Sequence, residues 1–213
     1  MKPVKPTKET LSRTYILQTA LNLLDQAGLQ KFTMRKLGQE MNVSPMAVYR
    51  YFPNQGALFD GLVELIWRNA LILKTCKSTN SSWQEYVTDL MSQLRQTLLK
   101  HPHVLPLIST HPIVTRSEFT LVEETLTKLK EKGLNIQPTT VFLINSLTVY
   151  TLGFVWAEAI EPADGGKIDS EVMKELQDNS GPLSELLQAL QTEQYTSEQQ
   201  FLMGLKAILT GWK

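Results

Sequence analysis

Apolar residues recur at helical spacing along most of this chain. Leu17, Ala20, Leu21, Leu24 and Ala27 repeat at intervals of three and four, the period of one helical face, and predict a first helix beginning near Thr10. Gly28 supplies a stop of the left-handed kind. Thr33 is placed to cap a short second helix over 34–41, with Leu37 and Met41 on one face, and Asn42, a residue that tolerates positive φ, ends it. Ser44 caps a third short helix whose first position is Pro45, where a missing N–H costs nothing. Pro53 breaks that helix, and Asn54 caps a fourth running from Gln55 to about Lys77. Beyond the polar stretch 78–82, the amphipathic series Trp83, Val87, Leu90, Met91, Leu94, Leu98 and Leu99 predicts a helix over 82–99. Pro102, Pro106 and Pro112 leave room for a short helix at most. Residues 114–132 read as helix closing at Gly133, and 139–160 is the most apolar stretch. A polar, acidic connection begins at 162–166, and Thr196 or Ser197 caps a last helix through Leu209. Strand-type alternation is nearly absent and no internal repeat is found. The expected fold is all-α with about nine helices. No continuous apolar run reaches the roughly 18 residues needed to span a bilayer.

Composition excludes some classes. With 42% hydrophobic and 20% charged residues among 213, the chain is neither wholly disordered nor collagenous. Its one cysteine, Cys76, cannot form an internal bridge and suits a reducing compartment. The N-terminal stretch is charged with no apolar segment behind it, unlike a secretory signal, so a cytoplasmic location is expected. The net charge of zero hides an asymmetry. Residues 1–55 hold eight Lys/Arg against three acids, a net of +5, and the remainder holds 13 against 18, a net of −5. The basic part is expected to face an anionic partner.

The informative stretch is 33–58. Two short helices joined by a tight turn at 41–44 form a helix-turn-helix. Gly38 leaves room for a close crossing, and Leu37, Met41, Val43 and Val48 are apolar positions able to lock it. A third helix of about two turns fits a major groove about 12 Å wide. With Val48 inward, Pro45, Met46, Tyr49 and Arg50 lie toward the other side. Arg50 and Arg35 can reach a base edge, and the hydroxyls of Tyr49 and Thr33 can reach phosphates. The competing reading is a plain helical hairpin with Tyr49, Tyr51 and Phe52 as core aromatics.

Residues 11–67 resemble the N-terminal domain of the tetracycline-repressor (TetR) family of transcriptional regulators. The matching features are A-L-x-L-L-x-x-x-G at 20–28, T-x-R-x-L at 33–37, V-S at 43–44, V-Y-R-Y-F at 48–52 and A-L at 57–58. Further on, S-T-H-P at 109–112, Y-T-L-G-F at 150–154 and F-L-M-G-L at 201–205 resemble the tetracycline-repressor branch. The resemblance implies a DNA-binding domain over 1–55 with a basic arm, and an effector-binding and dimerisation domain over 56–213. It implies a homodimer whose helices near 138–160 and 197–211 form a four-helix bundle, a double-stranded DNA operator, and release from it when a small organic effector binds. Carried over by position, the DNA contacts fall on Thr33, Arg35, Lys36, Ser44, Pro45, Met46, Ala47, Tyr49, Arg50 and Tyr51. Gln55 stands where the family usually has a phosphate-contacting Lys.

A second departure concerns the ligand. Tetracycline repressors carry a magnesium-ligating His three residues before the Thr of their Thr-x-Pro turn, and counting back from Thr110 gives Leu107. Metal-chelated tetracycline is therefore not the expected effector, and no metal site is expected; His101 and His103 read as loop histidines at a helix end. Candidate effector contacts are Trp67, Phe142, Asn145, Tyr150, Phe154 and Trp156, few polar groups among aromatics. The same residues also suit a buried dimer helix. No Gly-rich phosphate loop, G-x-S-x-G, H-E-x-x-H or paired Cys is present, so neither catalysis nor a cofactor is expected. Neither is a membrane partner. The expected function is a ligand-responsive repressor. The alternative is a helical small-molecule-binding or scaffold protein of the same fold with weak or no DNA binding.

Overall fold

A computed structural model describes residues 11–71, 81–111, 115–160, 170–171, 174, 181–185 and 196–212. Cys76, Pro112, the acidic connection from 162 and the basic arm over 1–10 lie outside the described residues. Every regular element among those described is helical. In chain order they are α1 (Arg13–Ala27), α2 (Met34–Glu40), α3 (Pro45–Tyr49), α4 (Gln55–Leu71), α5 (Trp83–Lys100), α6 (Leu105–Thr110), α7 (Arg116–Glu131), α8 (Thr140–Ala159) and α9 (Ser197–Gly211), with 3₁₀ turns at Leu29–Lys31 and Pro102–Val104. Helical residues also occur at 170–171, 174 and 182–185.

The caps explain most boundaries. The side chains of Ser12, Thr33, Ser82, Thr115 and Thr196 each accept a backbone N–H at their helix starts, and the last three are reciprocated by Glu85, Glu118 and Gln199 in capping boxes. Gly28 and Gly133 end α1 and α7 at φ 73° and 98°, where a side chain would strain the backbone. Two expectations are corrected. α1 begins at Arg13, after Ser12 rather than near Thr10, and buries Ile16 with Ala20, Leu21 and Leu24, because the core side is rotated one residue from Leu17. Ser44 makes no side-chain cap; its carbonyl instead receives the Ala47 N–H at 2.9 Å. The short helix allowed among the prolines is α6, with Pro106 in its first turn, where a helix needs no donor.

The chain divides into two compact units, Met1–Phe142 and Leu143–Lys213. In the first, Ile16, Leu21 and Leu24 of α1 are buried, as are Leu37, Met41 and Val48 of the helix-turn-helix and Leu58, Leu62 and Ile66 of α4. In α5 the buried positions are Tyr86, Val87, Leu90, Met91, Leu94 and Leu98, the interval of three and four foreseen from the pattern. In the second unit, α8 buries Leu143, Leu147, Thr151 and Val155 at steps of four, and α9 buries Phe201, Leu205 and Leu209 at the same step. Thr151 is tolerated inside because its hydroxyl donates to the Leu147 carbonyl at 2.8 Å.

α8 also corrects the expectation about bilayer spans. Its 20 residues are long and apolar enough to cross a membrane by length and composition, although Asn145, Ser146 and Gly153 interrupt any continuous apolar run. A core or pairing helix of a soluble protein passes the same test, and Val141, Phe142, Ile144, Val149 and Trp156 are exposed along this one.

Candidate nucleic-acid interface and effector region

The geometry of α2 and α3 follows from backbone touching backbone. A Cβ on Gly38 would stand 3.0 Å from the Val43 carbonyl oxygen and 3.3 Å from the Pro45 nitrogen. Such approaches are tighter than most Cβ atoms make, so a side chain here would push the start of α3 away from α2 by a few tenths of an ångström. The turn between them is drawn in by the Gly38 carbonyl, which accepts the Val43 N–H at 2.9 Å, and by Asn42 at φ 55°. Val48 and Phe52 are fully buried, which fixes the roll of α3 about its axis. Met46 is left 70% exposed, with Ser44, Tyr49 and Arg50 also exposed and Pro45 and Ala47 half-buried.

The other expected contacts flank this surface. Arg35 and Lys36 are exposed on α2, and the Lys36 Nζ donates to the Lys31 carbonyl at 2.8 Å. Thr33 accepts the Lys36 N–H at 3.2 Å, a bond that uses its oxygen and leaves the hydroxyl proton to donate. Gln55 is half-buried at the first residue of α4, beside Asn54, whose Oδ1 accepts the Ala57 N–H at 2.8 Å. Tyr51 is half-buried, and its hydroxyl donates to the Leu11 carbonyl at 2.6 Å. Arg13 donates to the Tyr51 carbonyl at 2.8 Å and lies 4.2 Å above the Phe52 ring. The start of α1 is thus tied to the far end of α3. Sequence reading did not find this tie, since its partners are about forty positions apart.

The expected effector contacts fall in both units. Trp67 is half-buried on α4 in the first unit. Phe142 is 63% exposed, and Asn145 and Trp156 are exposed as well. Tyr150 and Phe154 of the second unit do meet, at 5.8 Å between ring centroids, and both pack on Phe201 at 5.5 and 5.3 Å. The Tyr150 hydroxyl donates to the Phe201 carbonyl at 3.0 Å, and Gly204 has no side chain to obstruct it.

Around α6, Leu107 is buried together with Leu105 and Ile108. His111, at the end of α6, lies 6.4 Å from the Phe59 ring, which lies 5.4 Å from Phe32. Its Nδ1 is 3.0 Å from the Leu107 carbonyl. His101 Nδ1 is 2.7 Å from an Asp25 carboxylate oxygen, and His103 Nδ1 is 3.1 Å from the Asp25 carbonyl. The two loop histidines therefore hold the last turn of α1. Among the described residues, no group of three or more His, Cys, Asp or Glu is placed to hold a metal ion.

Arg68 joins α4 to α7, with one nitrogen 2.7 Å from Glu64 and 2.6 Å from the Ser117 hydroxyl. Burial pushes the Glu64 carboxyl up. Hydrogen bonds to Ser117, Arg68 and Thr115, with the Arg68 charge, outweigh that and hold it below its ordinary value.

A recognition helix held by its buried face, with a polar and basic face turned outward, defines a helix-turn-helix DNA-binding module. The family described as "Bacterial regulatory proteins, tetR family" matches residues 16–62, and "Tetracyclin repressor-like, C-terminal domain" matches residues 77–213. The chain belongs to the tetracycline-repressor family of bacterial regulatory proteins. It is 26% identical over 206 residues to the class D tetracycline repressor of Escherichia coli, covering 95% of this chain and 89% of that protein. It is 24% identical over 152 residues to the transcriptional repressor DrrR1 of Streptomyces coeruleorubidus, covering 71% of this chain but only 55% of that protein. Its fold is shared with Streptomyces coelicolor ActR in complex with actinorhodin, at TM-score 0.73 and 20% identity over 94% of this chain and 96% of that one. It is also shared with BioQ bound to its double-stranded DNA operator, at TM-score 0.60 and 22% identity over 94% and 97%.

Proposed function

We propose that two copies of this chain bind a palindromic operator and release it when a small organic effector, held mainly by apolar contact, enters the region beyond the helix-turn-helix. The observation that carries this reading is the Gly38 crossing, which holds α3 with Ser44, Met46, Tyr49 and Arg50 outward. Thr33, Arg35, Lys36 and Gln55 then face the phosphate backbone or the groove edge, with Pro45 and Ala47 packing close to it and Tyr51 acting mainly as a positioning residue. Residues 1–55 are the DNA-binding part and 56–213 the effector-binding and pairing part.

The exposed apolar residues of α8 and α9 support a homodimer. Phe142, Val149, Gly153 and Trp156 fall at heptad-like steps along α8, and Leu202 and Met203 (65% exposed) are open on α9. Faces of this kind require cover. A second copy supplies it with twofold symmetry, which places Phe142, Asn145 and Trp156 at the pairing surface and leaves the chain a cytoplasmic protein with no membrane partner. Tyr150 and Phe154 remain candidate effector contacts of this reading.

Two measurements test it. Selection from a randomised duplex pool should recover a palindrome with half-sites one helical turn, roughly 34–36 Å, apart or a multiple of it; recovery of no sequence would reject operator binding. Leu107 offers no ligand to a hard cation, so effector affinity should be equal with and without a chelator. A large loss on chelation would reject the apolar site.

A further inference from the structure

α3 spans five residues, Pro45–Tyr49, far below the roughly 12–15 at which an isolated helix is even marginal in water. Its place must therefore be imposed by its neighbours at each end. The Gly38 crossing and the buried Val48 hold its start and middle. Beyond Tyr49 the chain curls back on the Val48 carbonyl, which accepts the Tyr51 N–H at 2.9 Å and the Phe52 N–H at 3.1 Å, and Phe52 is fully buried.

Two bonds running in opposite directions lock this far end to the start of α1. Arg13, the first residue of α1, donates to the Tyr51 carbonyl at 2.8 Å, with its guanidinium 4.2 Å above the Phe52 ring. Tyr51 in turn donates its hydroxyl proton to the carbonyl of the buried Leu11 at 2.6 Å. A phenol has one proton to give, and a phosphate oxygen only accepts. The Tyr51 hydroxyl is therefore engaged within the protein and has no proton left for a phosphate, although the family resemblance places a DNA contact at this position. Arg13 keeps further N–H groups, so its role needs a separate arm of the test.

We propose that Arg13 and Tyr51 are positioning residues for operator reading. Their clasp sets how far Tyr49 and Arg50, the two residues before Tyr51, stand into the groove, and neither clasp residue touches DNA. The proposal rests on the DNA-binding reading above and names residues on which its sequence preference depends. Base-edge hydrogen bonds form only over about 2.7–3.2 Å, so a small drift of Tyr49 and Arg50 breaks them. Phosphate contacts carry no sequence information, and those proposed at Thr33, Lys36 and Gln55 lie outside the clasp. Opening the clasp should therefore cost operator affinity and spare binding to unrelated DNA.

The test compares the full chain with its Tyr51→Phe, Arg13→Gln and Arg13→Lys variants by fluorescence anisotropy across a salt series. Two duplexes are used, the palindrome recovered by selection and a scrambled duplex of equal length. Circular dichroism fixes a temperature at which every variant is fully folded. Tyr51→Phe removes one oxygen and no charge. It should weaken operator binding by about tenfold, the worth of one net hydrogen bond in each of two copies, and change binding to scrambled DNA by less than about twofold. Arg13→Gln should do the same and leave the salt slope on scrambled DNA unaltered. Arg13→Lys, which keeps a donor and a cation near the Phe52 ring, should regain most of the operator affinity that Arg13→Gln loses. Equal losses on both duplexes for Tyr51→Phe would show phosphate contact or a general loosening and overturn the proposal. So would a slope lower by about 0.9 per protomer for Arg13→Gln, or unchanged operator affinity in both variants. Each of these leaves the DNA-binding reading standing, whereas a wild-type chain that prefers no sequence would overturn both.

Discussion

Gln55 stands at the first residue of α4, where free backbone N–H groups and the positive end of the helix dipole already favour a phosphate. Gln55→Lys should add one ionic contact per protomer, tightening operator and random DNA by similar factors and steepening the salt slope by about 0.9 per protomer. Arg50→Ala is the counterpart: if Arg50 reads a base, its loss costs roughly 1–3 kcal/mol, mainly on operator DNA. Both variants measured on both DNAs give the answer, and an unchanged slope for Gln55→Lys would place the start of α4 away from the backbone. Glu64 carries a pH signature of its own. Its carboxyl is held below the ordinary 4.5, so the stability it contributes is complete above that pH and is lost as pH falls through the lower folded value. Glu64→Gln should therefore melt lower than wild type near neutrality by under about 1 kcal/mol, given the partial exposure of the pair. That deficit should shrink in acid; a deficit independent of pH would show that the carboxylate charge is not what ties α4 to α7.

At the scale of elements, the Tyr150 ring is the wedge between α8 and α9. It stacks on Phe201 and sits where a side chain on residue 204 would have to go. Gly204→Ala removes a poor helix former, worth about 1 kcal/mol in an open helix. Here the methyl must displace a packed ring, and overpacking of that kind costs typically 1–3 kcal/mol. Thermal unfolding should therefore show a net loss, whereas a gain would mean the ring moves aside freely. The sequence displayed α2 and its cap because capping is local chemistry, in which Thr33 needs only the N–H of Lys36 three residues on. It displayed Gly38 for the same reason, since the turn it packs against is five residues away. The Asp25–His101 and Tyr51–Leu11 bonds span 76 and 40 positions, and no periodicity encodes such a separation. The six aromatic and polar effector candidates were drawn from composition alone. Half of them lie exposed, because a helix apolar on several sides looks the same in sequence whether it lines a cavity or faces a partner.

For the whole molecule, the proposed pairing through the open faces of α8 and α9 sets the expected oligomeric state. Light scattering at micromolar concentration should give twice the chain mass of 24.1 kDa, and a monomer there would count against the twofold arrangement. Phe142→Glu should shift the balance toward monomer while leaving the buried side of α8, set by Leu143, Leu147 and Val155, intact. The Gly38 crossing bears on how such a regulator diversifies. What positions α3 is backbone against backbone together with the inward Val48, and none of the outward side chains takes part. On the proposed DNA-binding reading, the residues that would choose an operator and those that aim them are separate inheritances. A lineage can rewrite positions 44, 46, 49 and 50 and acquire a new set of genes to govern, with the aim of the helix passed on unaltered.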